Sequence, residues 1–349
     1  MKIGTLGYRT KTGLGYQVLS YTKHLPIERV LVVDLSVHNG LPLTDWYPGA
    51  QTVKGYPTNR DLVEFLSGLD IVLLAETPLN YELYSLARER GVKTVTVHNY
   101  EFFDHFVNPE YPLPDMFISP SMWHFEDIER FCIERGIAHK YLHHPVDRQD
   151  FPFRQRTNTT PFHIAGKHAA YDRNGTFDYL AAFPQGRVTT QGEQFANTLR
   201  GLYRLSKIYT NIEDPNYMYS MGDILVFPRR YGGNCLPLNE ALSCGVPVIM
   251  PDISPNNNFL PKHWLVPAIK TGEFTPRTKI DIYSVNPDDL RAKVEDLKAN
   301  IAGESKLADE IAQSISWEVL KPKYLETLEA ACGLSVSDKL KTLNPLPLS

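Results

Sequence analysis

The chain of 349 residues has only four cysteines, Cys132, Cys235, Cys244 and Cys332, and none share a metal-site or disulfide-framework spacing. They read as reduced thiols of a cytoplasmic protein. No run of about 18 apolar residues occurs, so no membrane-spanning helix is expected. No Asp-x-Asp, basic run, internal repeat or low-complexity tract occurs either. The formal net charge of −4 gives no general positive field. Nucleic acid is therefore disfavoured as a partner. The start, Met1 to Gly7, reads as a strand turning at glycine rather than a signal peptide.

What is present is ample apolar material, 42% of residues, in a length that suits two domains. Apolar β-branched runs alternate with helical spacings. Strands are expected at 30–34, 70–75, 92–97 and 116–119. Helices are expected at 60–66, 80–90 and from a Ser121 cap to Gly136. The stretch 141–160, with Pro145, Pro152 and a Thr-Asn-Thr-Thr end, reads as a linker. A second series then follows, with strands at 162–165, 223–228 and 246–250. Its helices fall at 175–183, 287–302, 305–314 and 317–331, and the tail beyond Gly333 reads as loosely held. Such repeats mean α/β architecture with doubly wound parallel sheets. The expected divisions are 1–150, 151–315 and a closing helix with tail, 316–349.

The densest segment is Arg229 to Asp252, RRYGGNCLPLNEALSCGVPVIMPD. It reads as a glycine loop, short helix and strand, led in by an apolar strand. The loop would sit at the C-terminal edge of a parallel sheet, where helix N-termini attract anions. Gly13 and Gly15 form a second glycine loop after the first strand, opening a helix near Tyr16.

These segments together resemble a GT-B glycosyltransferase of the retaining group 1, family 4 type. Gly233, Leu236, Pro237, Glu240, Ala241, Gly245, Pro247 and Val248 fall in register with that family's nucleotide-sugar segment. Gly13-Leu14-Gly15-Tyr16, His98-Asn99, the 117–121 stretch, His144 to Asp147, and Ser316-Trp317-Glu318 with Tyr324 resemble further family regions in the same order. The resemblance implies two Rossmann-like domains facing a central cleft. It also implies a closing helix that crosses back to the N-terminal domain. Two positions depart from the pattern. The first glutamate of the family pair falls on Gly232. The family's diphosphate-binding Arg and Lys fall on Lys167 and Asn174, with Arg173 beside the latter.

The implied function is sugar transfer from a nucleotide diphosphate sugar, a UDP-sugar before a GDP-sugar, with no metal and no further cofactor. Lys167 and Arg173 would stabilise the leaving diphosphate. Glu240 would accept the ribose hydroxyls, since a carboxylate offers two acceptors and no donor. Gly13, Gly15, Gly233, Asn234, Cys235 and Leu236 would line the donor, and His98 would stand near the reacting carbon. One of Arg229 and Arg230 would reach phosphate, or both simply belong to a solvated loop. Lys11, Tyr100 and Trp123 mark the acceptor side, whose ligand (a glycan, lipid-linked sugar, small molecule or modified DNA base) the sequence leaves open. His143, His144, His163 and His168 lack the acidic or cysteine neighbours of a metal site. Two other readings are a non-catalytic nucleotide-sugar binder, which Gly232 encourages, and a GT-B-fold epimerase.

Overall fold

The computed structural model describes residues 1–36, 43–167, 170–210, 212 and 214–333. The chain forms two compact units. One comprises Met1–His143 with the C-terminal segment from Leu320, the other His144–Val319.

The first unit runs β1 (Ile3–Gly7), α1 (Gly13–His24), β2 (Ile27–Asp34), β3 (Thr52–Lys54), α2 (Asn59–Leu66), β4 (Ile71–Ala75), α3 (Glu82–Glu89), β5 (Lys93–Val97), β6 (Met116–Ser119), α4 (Phe125–Arg135) and β7 (Ala138–Tyr141). Its sheet is ordered β3-β2-β1-β4-β5-β6-β7, and every pairing is parallel. The central strands β1 and β4 are buried throughout, which is why they read as unbroken apolar runs.

The second unit repeats this winding with β8 (Pro161–Lys167), α5 (Thr176–Ala182), β9 (Arg187–Gln191), α6 (Glu193–Leu202), β10 (Lys207–Thr210), α7 (Pro215–Met218), β11 (Ile224–Val226), α8 (Leu236–Ser243), β12 (Val248–Pro251) and β13 (Leu265–Val266). The parallel order is β10-β9-β8-β11-β12-β13. An antiparallel hairpin, β14 (Ala268–Phe274) with β15 (Ile280–Val285), stands outside that sheet. Three helices end the described residues: α9 (Pro287–Lys298), α10 (Ile301–Ser314) and α11 (Trp317–Gly333). None of the helices among the described residues is long and apolar enough to cross a membrane.

In each sheet the winding reverses once, at β1/β4 and at β8/β11. Loops leaving the C-terminal ends of those strand pairs diverge there and open a crevice.

Three expectations need correction. The first helix opens at Gly13, capped by Thr12, whose hydroxyl accepts from Gly15 N–H at 3.1 Å. Ser121 does not cap α4; its hydroxyl accepts from Trp123 N–H at 3.3 Å. The capping position is His124, in the left-handed region at φ 52°. The stretch 141–160 is no loose linker. Tyr141 ends β7, Val146 bridges Ser316, and the buried Arg156 donates to the carbonyls of Cys244 and Gly222. The tail beyond Gly333 and His168 lie outside the described residues.

Candidate functional site

At the β8/β11 reversal the loop after β11 carries Arg229, Tyr231, Gly232 and Gly233 into the start of α8. Gly232 has φ 115°, which disfavours any residue with a Cβ. A Cβ there would also lie 2.3 Å from Arg229 Nη2 and 2.8 Å from Arg173 Nη2. Two guanidiniums therefore converge on the glycine that replaces the expected glutamate. Arg229 is buried, and donates from Nε to Tyr231 O at 2.9 Å and from Nη2 to Asn234 O at 3.2 Å. Arg173 lies over the Tyr231 ring, 5.3 Å from its centroid. Among the described residues the N–H groups of Gly233, Asn234 and Cys235 donate to no protein acceptor. Consecutive amides of this kind, at a helix N-terminus and beside two cations, make an anion-binding concavity.

Arg230 has a different use. Its backbone N–H donates to Arg173 O at 2.8 Å, and its guanidinium donates to Tyr283 O at 2.9 Å, Tyr171 O at 3.2 Å and the Ser284 hydroxyl. It staples the β8 loop, the β11 loop and the hairpin together. Phe274 of the hairpin packs against the rings of Tyr231 and Tyr171, each 4.9 Å away. Lys167 ends β8 at the same reversal. Its side chain is exposed and makes no hydrogen bond or ion pair among the described residues. Asn174, where the resemblance expects a cation, donates instead to Ala165 O at 2.9 Å and fixes the loop. The structure thus brings Arg229, as well as Arg173, to Gly232.

Glu240 lies one turn into α8. The buried Tyr219 hydroxyl donates to its Oε2 and is its only side-chain hydrogen-bond partner among the described residues. Burial pushes the Glu240 carboxyl up to about 7; the Tyr219 hydrogen bond opposes that rise and the Asp150 charge adds to it. The helix is held at both ends. Asn239 donates to His144 O at 3.0 Å, and Arg156 Nη2 donates to Cys244 O at 2.7 Å. Cys235 occupies the helix cap, buried, and Leu236 begins the helix.

The β1/β4 reversal belongs to the first unit. There a Cβ on Gly15 would lie 2.1 Å from Thr10 O, so only glycine lets α1 start against the loop; Gly13 has open space around it. Lys11 is exposed beside them. The His98 side chain turns inward, which leaves the backbone carbonyl as the group for any role near the reacting carbon. It is 3% exposed, its Nε2 is 2.7 Å from the Ser119 hydroxyl, and that hydroxyl is 2.8 Å from His139 Nε2. Burial holds His98 down to about 3, so the imidazole is neutral. Only its backbone remains at the strand end. Tyr100 stacks on His124 at 3.8 Å and lies 5.5 Å from Trp123, which is buried. Phe103 is a core residue, whereas Phe102 is exposed. His163 is also structural, bonded to Val226 O and the Thr176 hydroxyl.

The sequence reading missed Tyr219 and Tyr231 and undervalued Arg229. The only sequence signal for Arg229 was its place in a loop just after a buried strand.

No family model and no curated protein matches the chain. Solved structures do. HepE from Anabaena, in complex with UDP, shares 13% identity over 95% of this chain and 100% of its own, with a TM-score of 0.66. A glycosyltransferase from Rickettsia africae shares 12% over 96% and 99%, also at 0.66. Sucrose-phosphate synthase from Thermosynechococcus elongatus shares 15% over 95% and 100%, at 0.61. The two wound sheets match those of GT-B glycosyltransferase structures, so the fold is GT-B.

Proposed function

We propose that the chain is a glycosyltransferase that moves a sugar from a nucleotide diphosphate sugar, UDP-linked before GDP-linked, to an acceptor. It retains anomeric configuration, needs no metal and works in the cytoplasm. The observation that carries this reading is the convergence of Arg173 and Arg229 on Gly232, beside the unbonded amides of Gly233 to Cys235. Those groups suit a diphosphate. Glu240, one turn along the same helix, suits the vicinal ribose hydroxyls. The structures of HepE with UDP, and with UDP and glucose, support a nucleotide in such a site.

In the transfer, the bond between the anomeric carbon and the diphosphate oxygen breaks, and its electron pair leaves with the diphosphate. Arg173 and Arg229, with Lys167 from the neighbouring strand end, take up that charge where it develops. The acceptor hydroxyl attacks the same face, a new bond forms between its oxygen and the anomeric carbon, and its proton passes to the departing diphosphate oxygen. Lys11, Tyr100 and Trp123 are proposed for the acceptor side.

A panel of UDP- and GDP-sugars, followed for release of free nucleotide, tests the proposal. Slow hydrolysis of one donor is expected. A nucleotide that binds without turnover of any donor would make the chain a non-catalytic relative. Glu240→Ala should weaken nucleotide binding about tenfold or more, the scale of a hydrogen bond to a charged group; unchanged affinity removes the ribose assignment.

A further inference from the structure

The Tyr219–Glu240 pair has a geometry that a ribose-binding carboxylate does not by itself require. Tyr219 follows α7, is fully buried, and packs edge-on against Phe151 at 5.7 Å between ring centroids. The Ser243 hydroxyl donates to Phe151 O at 2.6 Å, which ties the Phe151 backbone to α8. The tyrosine hydroxyl therefore arrives at Glu240 from a fixed direction and occupies Oε2. Oε1 is left with no protein donor among the described residues.

A carboxylate held this way has one oxygen bound to the protein and one for a ligand. It can receive two ribose hydroxyls only when ionised, because a protonated carboxyl presents a donor where an acceptor is needed. The groups facing it are Tyr219, Asp150 and the Cys244 thiol at the C-terminal end of α8; the Cys235 thiol at the other end faces Tyr219. Arg154 and Arg156 act on Cys244. No cation is among the influences that set Glu240's charge. Its ionised form rests on the Tyr219 hydrogen bond against burial and the Asp150 charge.

We propose that Tyr219 is a positioning residue of the nucleotide site: its hydroxyl holds Glu240 as an acceptor, so that nucleotide binding expels the carboxyl proton and is coupled to pH. This rests on the ribose reading of Glu240. With the free carboxyl titrating at about 7, a fraction of the protein carries that proton at neutral pH. Two hydroxyl donors arriving on Oε1 favour the ionised form and release it.

The test is calorimetric titration of the full chain with UDP and with GDP, from acid to alkaline pH, in two buffers of different ionisation enthalpy. For the wild type, affinity should fall about tenfold per pH unit below the midpoint, with fractional proton release near neutrality. Tyr219→Phe removes one hydroxyl without changing shape. It should move the midpoint upward by about one unit and weaken binding at neutral pH severalfold, with recovery at alkaline pH. Glu240→Gln should bind weakly with no such pH dependence. Absence of proton release by the wild type overturns the proposal without recourse to any variant. So does a Tyr219→Phe protein with an unchanged profile. Wild-type affinity in Glu240→Gln would instead remove the ribose reading itself, and failure of both nucleotides to bind would remove the nucleotide site.

Discussion

The backbone N–H of Arg230 donates to the carbonyl of Arg173 at 2.8 Å, joining the loops that leave β8 and β11. This bond and the Arg230 guanidinium's fork place Arg173 over Tyr231. A residue that sequence position offers as a phosphate ligand is thus spent on backbone carbonyls. Arg230→Ala should lower kcat/KM for the donor about 10- to 100-fold by releasing Arg173, and Arg230→Lys should not restore it, since an ammonium lacks the planar fork. Steady-state kinetics across donor concentrations would check this; full activity in the alanine variant would show that the staple is dispensable.

Arg173→Ala should cost about a hundredfold or more in kcat, on the scale of losing one donor that meets developing transition-state charge. The cation–π contact contributes to placement, by about 1 kcal/mol. Tyr231→Leu should therefore lower turnover less than Arg173→Ala does. The two rates, measured with the same donor, decide it.

A carboxylate at position 232, where the resemblance places one, should not improve the site. Gly232→Glu forces a Cβ to within 2.3 Å of Arg229 Nη2 at a backbone angle of φ 115°. Gly232→Ala carries the same strain without the charge. Both variants should be destabilised by about 1–3 kcal/mol and bind nucleotide more weakly. Chemical denaturation and nucleotide titration read the two effects separately. A stable Gly232→Glu protein with improved turnover would contradict this account.

Glu240 should be a stability liability. Its carboxyl titrates at about 7 when folded, against a normal value near 4.3 in the unfolded chain. Above pH 4.3 the unfolded chain has lost this proton while the folded chain still holds it, so the penalty grows to about pH 7 and then levels off. Glu240→Gln should raise the melting temperature by a few degrees at pH 8 and do little at pH 4. Thermal scans at the two pH values provide the comparison.

Acid should unfold the protein through its buried histidines. Burial holds His98 at about 3 and His105, His139 and His163 at about 4. Unfolded imidazoles titrate near 6.5. Below that pH the unfolded chain binds more protons, so stability falls from about pH 6.5 towards pH 4. Three of the four lie in the first unit, so its tertiary signal should be lost before that of the second. His139→Gln should lessen the slope of stability against pH.

Much of the fold is legible because its central strands are buried on both faces. Residues 70–75 and 116–119 could hardly be anything else, and the structure places β4 and β6 within them. The hairpin β14–β15 was invisible because Ala268–Phe274 is largely exposed and lacks an apolar signature. β10, four residues at a sheet edge and nowhere fully buried, is too short to announce itself. Arg156 looked like part of a polar linker, yet it is buried against carbonyls of residues 66 and 88 positions away.

The sequence by itself determined the alternation of strands and helices, the two series, and the glycine loop leading into α8 with Glu240 on its first turns. Each depends on local spacing and on burial that a run of side chains declares. Only the tertiary structure decided which side chains meet. Tyr219 reaches Glu240 across 21 positions, and Arg173 meets Arg229 across a strand reversal. His98 turns into the core because its neighbours on β6 and β7, Ser119 and His139, receive its ring there. Side-chain direction at a strand end follows from what packs beside it. That is a property of the sheet's order, which no local stretch of sequence contains.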